Sequence, residues 1–290
     1  MVWRLAEQGD LSWIQDFLMQ HAQSSMFLLS NLKTHGLGSD APRALRVWIQ
    51  EGIHSGVFAI TNEGMVMPQA SHANEAEWRA AAGLVAGRTI IGVLAEAHQA
   101  RQFLKYASLG HHPCEVNRDE PGFALDLNDL DVPNVDGLEL RPLAQAPRSL
   151  IVKWRRDYNV EILGAPQAEA RTRAEAEVSG FLARETHWAL YRGANPVSMC
   201  GINAQAGPVV QIGGVYTPPD LRSQGLARCA VALMLRHLHH EGAQRAVLFA
   251  ASDAAAKAYT SLGFQRNGSY ALVVFASPTH EKTATVEKCT

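Results

Sequence analysis

Two rhythms of apolar positions alternate along the first part of the chain. Leu11, Ile14, Phe17 and Leu18 have the spacing of a single helix face, and Asp10 stands before them where an N-cap is favoured. Arg46-Val-Trp-Ile-Gln, Val57-Phe-Ala-Ile and Met65-Val-Met are short runs parted by turn residues, which predicts strands. A helix over 74–86, a buried strand at Thr89-Ile-Ile-Gly-Val-Leu, a helical segment over 97–108 and a strand at Gly122-Phe-Ala-Leu-Asp-Leu complete an α/β unit over 1–127. Residues 128–137 are turn formers and acids with little periodicity and read as a linker.

The second half, 138–276, reads as another domain. Leu138-Glu-Leu-Arg-Pro-Leu predicts a strand, and Leu150, Ile151, Trp154 and Tyr158 form a helical stripe. Pro166 opens an Ala-, Glu- and Arg-rich helix to 184. His187-Trp-Ala-Leu-Tyr and Val197-Ser-Met-Cys-Gly-Ile, joined by Arg-Gly-Ala-Asn-Pro, predict a strand pair. Val209 to Thr217 is a further strand, in which Gly213-Gly214 marks a bulge and Pro218-Pro219 the end. A helix from Leu226 to about 241, a strand at Ala246-Val-Leu-Phe-Ala, a short helix closed by Gly263 and a strand near 270–275 follow. Residues 277–290 read as a loose tail. The fold class is therefore α/β (α+β): a mixed, largely antiparallel sheet flanked by helices.

Composition removes several function classes. With 47% hydrophobic and 19% charged residues the chain has the makings of a packed core, and a net charge of −2 provides no overall field toward nucleic acid or anionic lipid. The four cysteines, at 114, 200, 229 and 289, have neither metal-ligand spacing nor disulfide density. The pairs His111-His112 and His239-His240 have no neighbouring ligand set, so no metal is expected. The start lacks the pattern of a signal peptide, and no apolar run approaches the roughly 20 residues of a membrane span, so a cytoplasmic protein is expected. Nothing in the pattern excludes self-association.

The chemistry concentrates where the strand ending Val215-Tyr-Thr-Pro-Pro meets Asp220-Leu-Arg-Ser-Gln-Gly-Leu-Ala227 and then a helix. A loop feeding a helix N-terminus presents N–H groups without intrahelical partners, and the helix dipole adds positive potential. Gly225 permits close backbone approach to an anion, Ala227 keeps the first turn thin, and Arg222 contributes a charge or braces the loop. An ordinary strand-to-helix connection is the bland alternative.

Arg222, Gly225 and Ala227 match the signature of GNAT acyltransferases: Arg or Gln, two residues, Gly, one residue, then Gly or Ala. Leu248 to Phe264, ending Tyr259-Thr-Ser-Leu-Gly-Phe, resembles the family's next strand and helix. Pro196-Val-Ser-Met and Gly214-Val-Tyr-Thr-Pro-Pro look most like the branch of predicted GNAT enzymes with an extra N-terminal region. The resemblance covers the C-terminal half and implies a GNAT fold there, with acetyl-CoA or coenzyme A as co-substrate. It implies that Val215, Tyr216 and Thr217 pair with the pantetheine like an added strand, and that Arg222, Ser223, Gln224, Gly225, Leu226, Ala227 and Arg228 hold the pyrophosphate. Ser252 stands where many members have an Asn that touches the cofactor; capping the next helix is its equal alternative. Tyr259 matches the tyrosine that protonates the departing thiolate, against the bland reading of a core tyrosine.

The acceptor, a small-molecule or peptide amine, must lose a proton before attack. Glu161, Asp157 and His187 are the candidates for a base, Glu161 first, and Gln211 sits on the strand beside the cofactor but cannot act as a base. Each of these residue types is more often a surface charge or a helix-end group. Residues 1–127 have no Arg-x-x-Gly-x-Ala loop and read as a degenerate copy of the fold that does not hold the pyrophosphate. The function read from these features is acetyl transfer from acetyl-CoA to a primary amine. A coenzyme A-binding sensor or scaffold without turnover, and transfer of a longer acyl group, are the alternatives.

Overall fold

The computed structural model describes residues 3–280. Along the chain the elements are β1 (Arg4–Leu5), α1 (Leu11–Gln20), α2 (Ala22–His35), β2 (Leu45–Gln50), β3 (Gly56–Thr61), β4 (Met65–Gln69), α3 (Glu75–Gly83), β5 (Thr89–Glu96), α4 (Ala97–Tyr106) and β6 (Cys114–Asp126). They continue as β7 (Leu138–Pro142), α5 (Arg148–Glu161), α6 (Gln167–Arg184), β8 (His187–Arg192), β9 (Asn195–Ala206), β10 (Val209–Tyr216), α7 (Leu226–His240), β11 (Arg245–Phe249), α8 (Asp253–Thr260) and β12 (Gln265–His280). No described helix is long and apolar enough to cross a membrane.

The chain forms two compact units. The first takes the residues up to Asp119 and those from Ser269 onward; the second takes Glu120–Gly268. In the first the strand order is β1-β2-β3-β4-β5-β12, antiparallel throughout except for the β4–β5 pair. Its core sets Phe58 against Phe103, the rings tilted by 45°, and packs Ile90, Val93, Ala271 and Val273 around them. Asn74 caps α3, accepting from the Glu77 N–H at 3.1 Å while the Glu77 carboxylate accepts from the Asn74 N–H at 2.6 Å.

In the second unit the order is β6-β11-β10-β9-β8-β7, with β10–β11 the parallel pair. Alternation along its strands divides the core in two. Leu190, Cys200, Val210 and Ile212 pack with Val231, Met234 and Leu235 of α7. Ala189, Tyr191, Met199 and Tyr216 pack with Ile151 and Trp154 of α5 and Val178 and Phe181 of α6. This second layer is the face that carries the polar groups described below.

Three expectations change. The units part within β6 and within β12, not over 128–137: Leu130, Val132 and Val135 pack on the core of the second unit, and the Asp131 N–H donates to the Leu262 carbonyl, so the supposed linker is held by its apolar residues. The chain beyond 276 is not all loose, because Thr279 and His280 still pair with Ile90 and Thr89; residues 281–290 of the supposed tail lie outside the described residues. Helix α2 went unpredicted, although Met26, Leu28, Leu29 and Leu32 bury one side of it.

Candidate functional site

Strands β10 and β11 pair only at Val209–Arg245, Val210–Ala246 and Gln211–Val247 and then part. On its other side β10 takes three steps from Gly213 to Tyr216 while β9 takes two from Gly201 to Met199, so one extra residue bulges out of β10. Gly214, at φ +62°, supplies the left-handed turn of that bulge, and Val215 has no β9 residue opposite it. The bulge is stitched from below: the Ser198 hydroxyl donates to the Tyr216 carbonyl at 2.9 Å and lies 2.9 Å from the Thr217 hydroxyl.

After Pro218 the chain turns once and enters the loop of Arg222 to Gly225. Ser223 and Gly225 both have positive φ, +62° and +74°, which turns successive N–H groups to one side before α7 begins. Among the described residues no group accepts the N–H of Ser223 through Arg228; the first intrahelical bond runs from the Cys229 N–H to the Gly225 carbonyl at 3.0 Å. An open row of donors at the N-terminus of a 15-residue helix is an arrangement that suits an anion.

The side chains of the loop are spent on holding it. Arg222 places its two terminal nitrogens on the Glu161 oxygens at 3.1 and 2.6 Å, and its Nε donates to the Thr217 carbonyl at 3.0 Å. Gln224 accepts from both terminal nitrogens of Arg192 at 3.2 Å. Of the two roles read for Arg222, the structure gives it the brace. Glu161, read as the leading base, has both oxygens in a fork on a guanidinium and so anchors the loop. The Thr217 carbonyl is likewise taken, leaving its N–H for any strand-like ligand. Arg228 extends from the first turn of α7, half-buried, with one terminal nitrogen 3.4 Å from the Ser261 hydroxyl.

Tyr259 lies half-buried on α8, edge-on to Phe264 at 5.9 Å between centroids and packed on the core of the unit. Burial, with Tyr158, Cys200 and Glu120 adding to it, pushes its phenol well above the usual tyrosine range. It therefore stays protonated at neutral pH. Ser252 is the N-cap of α8, its hydroxyl accepting from the Ala255 N–H at 3.2 Å. Of its two readings the structure supplies the cap.

One cavity lies beside the approach to the loop and a second along α8. The first, of about 330 Å³, is lined by Lys153, Asp157, Glu161, Gln167, Tyr216 and Asp220; the second, of about 490 Å³, runs past Lys257 and Ser261. Asp157 lines the first and is tied to Lys153 at 2.8 Å and to Arg156, so it too is engaged. His187 lies elsewhere, under α6, its ring stacked on Phe181 at 3.6 Å. Gln211 is buried on the same sheet face. Arg192, Ser198 and Arg155 were not singled out from sequence, because their partners lie in distant segments.

Residues 150–264 match the model of the acetyltransferase (GNAT) family. They are a GNAT-family domain. Membership of the family supports an acyl-transfer function for these residues, acetyl-CoA or coenzyme A being the co-substrate that GNAT proteins use. Likeness of fold extends over the whole chain. A tandem GNAT protein from the clavulanic acid biosynthesis pathway superposes with a TM-score of 0.57 at 14% identity, covering 97% of this chain and 99% of that one. A Drosophila protein gives 0.60 at 12% identity, covering 94% and 98%, and a GNAT-family acetyltransferase from Colwellia psychrerythraea gives 0.52 at 12%, covering 95% and 100%. No curated protein matches the sequence.

The first unit repeats the parted strands without the cradle. β4 and β5 pair only at Met65–Gly92 and Val66–Val93. Past them the Ala70 N–H donates to the side-chain oxygen of Gln99 at 2.6 Å, so an amide of the chain itself occupies that edge. The N-terminus of α3 is filled by its own capping box and carries Glu75 and Glu77, which repel an anion.

Proposed function

We propose that the GNAT domain transfers an acetyl group from acetyl-CoA to a primary amine by direct attack. The observation that carries this reading is the open row of N–H groups from Ser223 to Arg228 at the mouth of parted strands, with Tyr259 on the helix that follows β11. The pyrophosphate would sit on that row, with Arg228 beside it, and the pantetheine would run back along Thr217 and Val215 toward Gly214. Held there, the thioester carbonyl meets backbone donors of the bulge, which polarise it for attack.

The amine nitrogen forms a bond to the carbonyl carbon, the C–S bond breaks with its electrons on sulfur, and sulfur takes the Tyr259 proton. The amide nitrogen loses one proton, which restores the phenol. Glu161 and Asp157 are both engaged in ion pairs, so in this reading the amine arrives as the free base. The first unit, its edge closed by Gln99 and its helix N-terminus acidic, would not hold the pyrophosphate.

The test is calorimetric titration of acetyl-CoA into the wild type and Gly225→Trp, then thiol release with a panel of primary amines. Micromolar binding that the variant loses, with amine-dependent release, supports the reading. Binding without release under any amine selects the sensor. Release with longer acyl-CoA in preference to acetyl-CoA selects the longer-chain transferase. No binding to the wild type ends the proposal.

A further inference from the structure

Three side-chain atoms on the α5–α6 face of the GNAT domain are buried and have no hydrogen-bond partner: Asn159 Oδ1, His187 Nε2 and Gln211 Oε1. Their residues expose 0%, 2% and 1% of their surface. Folded interiors leave few such atoms, because each forfeits its hydration without return. His187 abuts the β10 bulge, and the other two lie on β10 itself and on α5, the helix packed against it. A Cβ on Gly214 would stand 2.9 Å from His187 Nε2 and 3.9 Å from an Arg155 terminal nitrogen. Arg155 and Asn159 share one oxygen of Glu177, at 2.6 and 2.8 Å. Gln211 precedes the bulge on the same strand and faces the same layer. Gly201, opposite His187 in the ladder, is the second glycine that makes room for the ring.

We infer that Asn159, His187 and Gln211 are the docking groups for the acceptor amine, taking its N–H bonds while its lone pair faces the thioester. This rests on the acetyl-transfer reading, which runs the pantetheine from the cradle along β10 and so brings the acyl end to this bulge. The chemistry of the set is acceptors without free charge. The two carboxamide oxygens accept, and His187 Nε2 presents its lone pair when Nδ1–H donates to the Thr186 hydroxyl at 3.0 Å. A neutral primary amine has two N–H bonds and donates to two of the three at a time. Glu177, the carboxylate that faces His187, is taken by Arg155, Asn159 and Arg173, so the field at the ring comes from the guanidinium groups of Arg155 and Arg184. Such a site favours the neutral amine over its ammonium ion, and the neutral form is the nucleophile. The site thereby does by selection what a dedicated base would do by proton abstraction.

The experiment measures amine kcat/KM by thiol release, acetyl-CoA affinity by calorimetry and Tm, for the wild type, Gln211→Met, Asn159→Leu, His187→Phe and His187→Gln. The expected result is a loss of about tenfold in amine kcat/KM for each apolar variant, with acetyl-CoA affinity held within about twofold. Gln211→Met should keep or raise Tm, since an unpartnered polar group is removed. His187→Gln, which keeps an acceptor, should recover part of the loss. If His187→Phe does not fold, the other two apolar variants decide. Unchanged amine kcat/KM in those variants overturns the inference, as does a parallel loss of acetyl-CoA affinity. A wild type that binds acetyl-CoA but releases thiol with no amine overturns it as well, while leaving the cofactor half of the parent reading intact.

Discussion

Gly201→Ala is the substitution that weighs the placement of His187 most directly. Gly201 lies opposite His187 in the β8–β9 ladder, and a Cβ there would stand 2.2 Å from the ring Cδ2, 2.3 Å from Cγ and 2.5 Å from Nε2. The ring cannot swing aside, because it is stacked on Phe181 at 3.6 Å and 16° and is buried. Overpacking of a rigid core costs about 1–3 kcal/mol, and contacts this short belong at the upper end, about 3 kcal/mol. For a unit of this size each kcal/mol moves Tm by about 2–4 °C, so a fall of about 6–12 °C is expected by scanning calorimetry. In a His187→Ala background the new methyl has the space of the ring, and the cost of Gly201→Ala should shrink to within about 0.5 kcal/mol of zero. A Tm for Gly201→Ala within about 2 °C of the wild type, or an equal fall in both backgrounds, would refute the wedge.

Glu161→Gln separates anchor from base: as the Arg222 anchor, half exposed, it contributes no more than about 1 kcal/mol, so acetyl-CoA should bind up to about fivefold more weakly with kcat nearly unchanged; a hundredfold fall in kcat would restore the base. Tyr259→Phe should lower kcat about 10²-fold with little change in acetyl-CoA affinity in the same titration. Because burial raises that phenol, the wild-type rate should show no descending limb from it up to about pH 10. Burial, with Arg155 and Arg184 adding to it, pushes His187 down to about 3, so the folded state binds fewer protons than the unfolded chain between that value and the ordinary 6.5. Its contribution to stability is whole above pH 6.5 and lost as pH falls: urea titrations from pH 7 to 5 should cost the wild type about 2 kcal/mol more than His187→Gln, and equal slopes would contradict this.

What was legible in the sequence is what the chain writes locally. Arg222, Gly225 and Ala227 stand within six positions, and the strand before and helix after them have their own periodicities, so the loop could be found and its helix placed. The Gly213-Gly214 pair announced the bulge for the same reason. The partners of that loop were not legible: Glu161 is 61 positions from Arg222 and Arg192 is 32 from Gln224, so Glu161 read as a free acid. Asn159, His187 and Gln211 come from three elements, and only packing brings them to one face. The supposed linker failed because its turn formers hid Leu130, Val132 and Val135, spaced too irregularly to show a period.

The exchange of strands between halves of the chain has a consequence for synthesis. β5 leaves the ribosome before the second unit is made, yet its neighbour in the sheet, the part of β12 from Tyr270 to His280, is made only after it. The unit that begins first must therefore finish last, with the edge at Ile90 and Val93 unpaired while more than half of the chain is still being added. A stop codon just before Ser269 would strike the opposite end of the map, stripping the first unit of a strand while leaving every residue of the second in place.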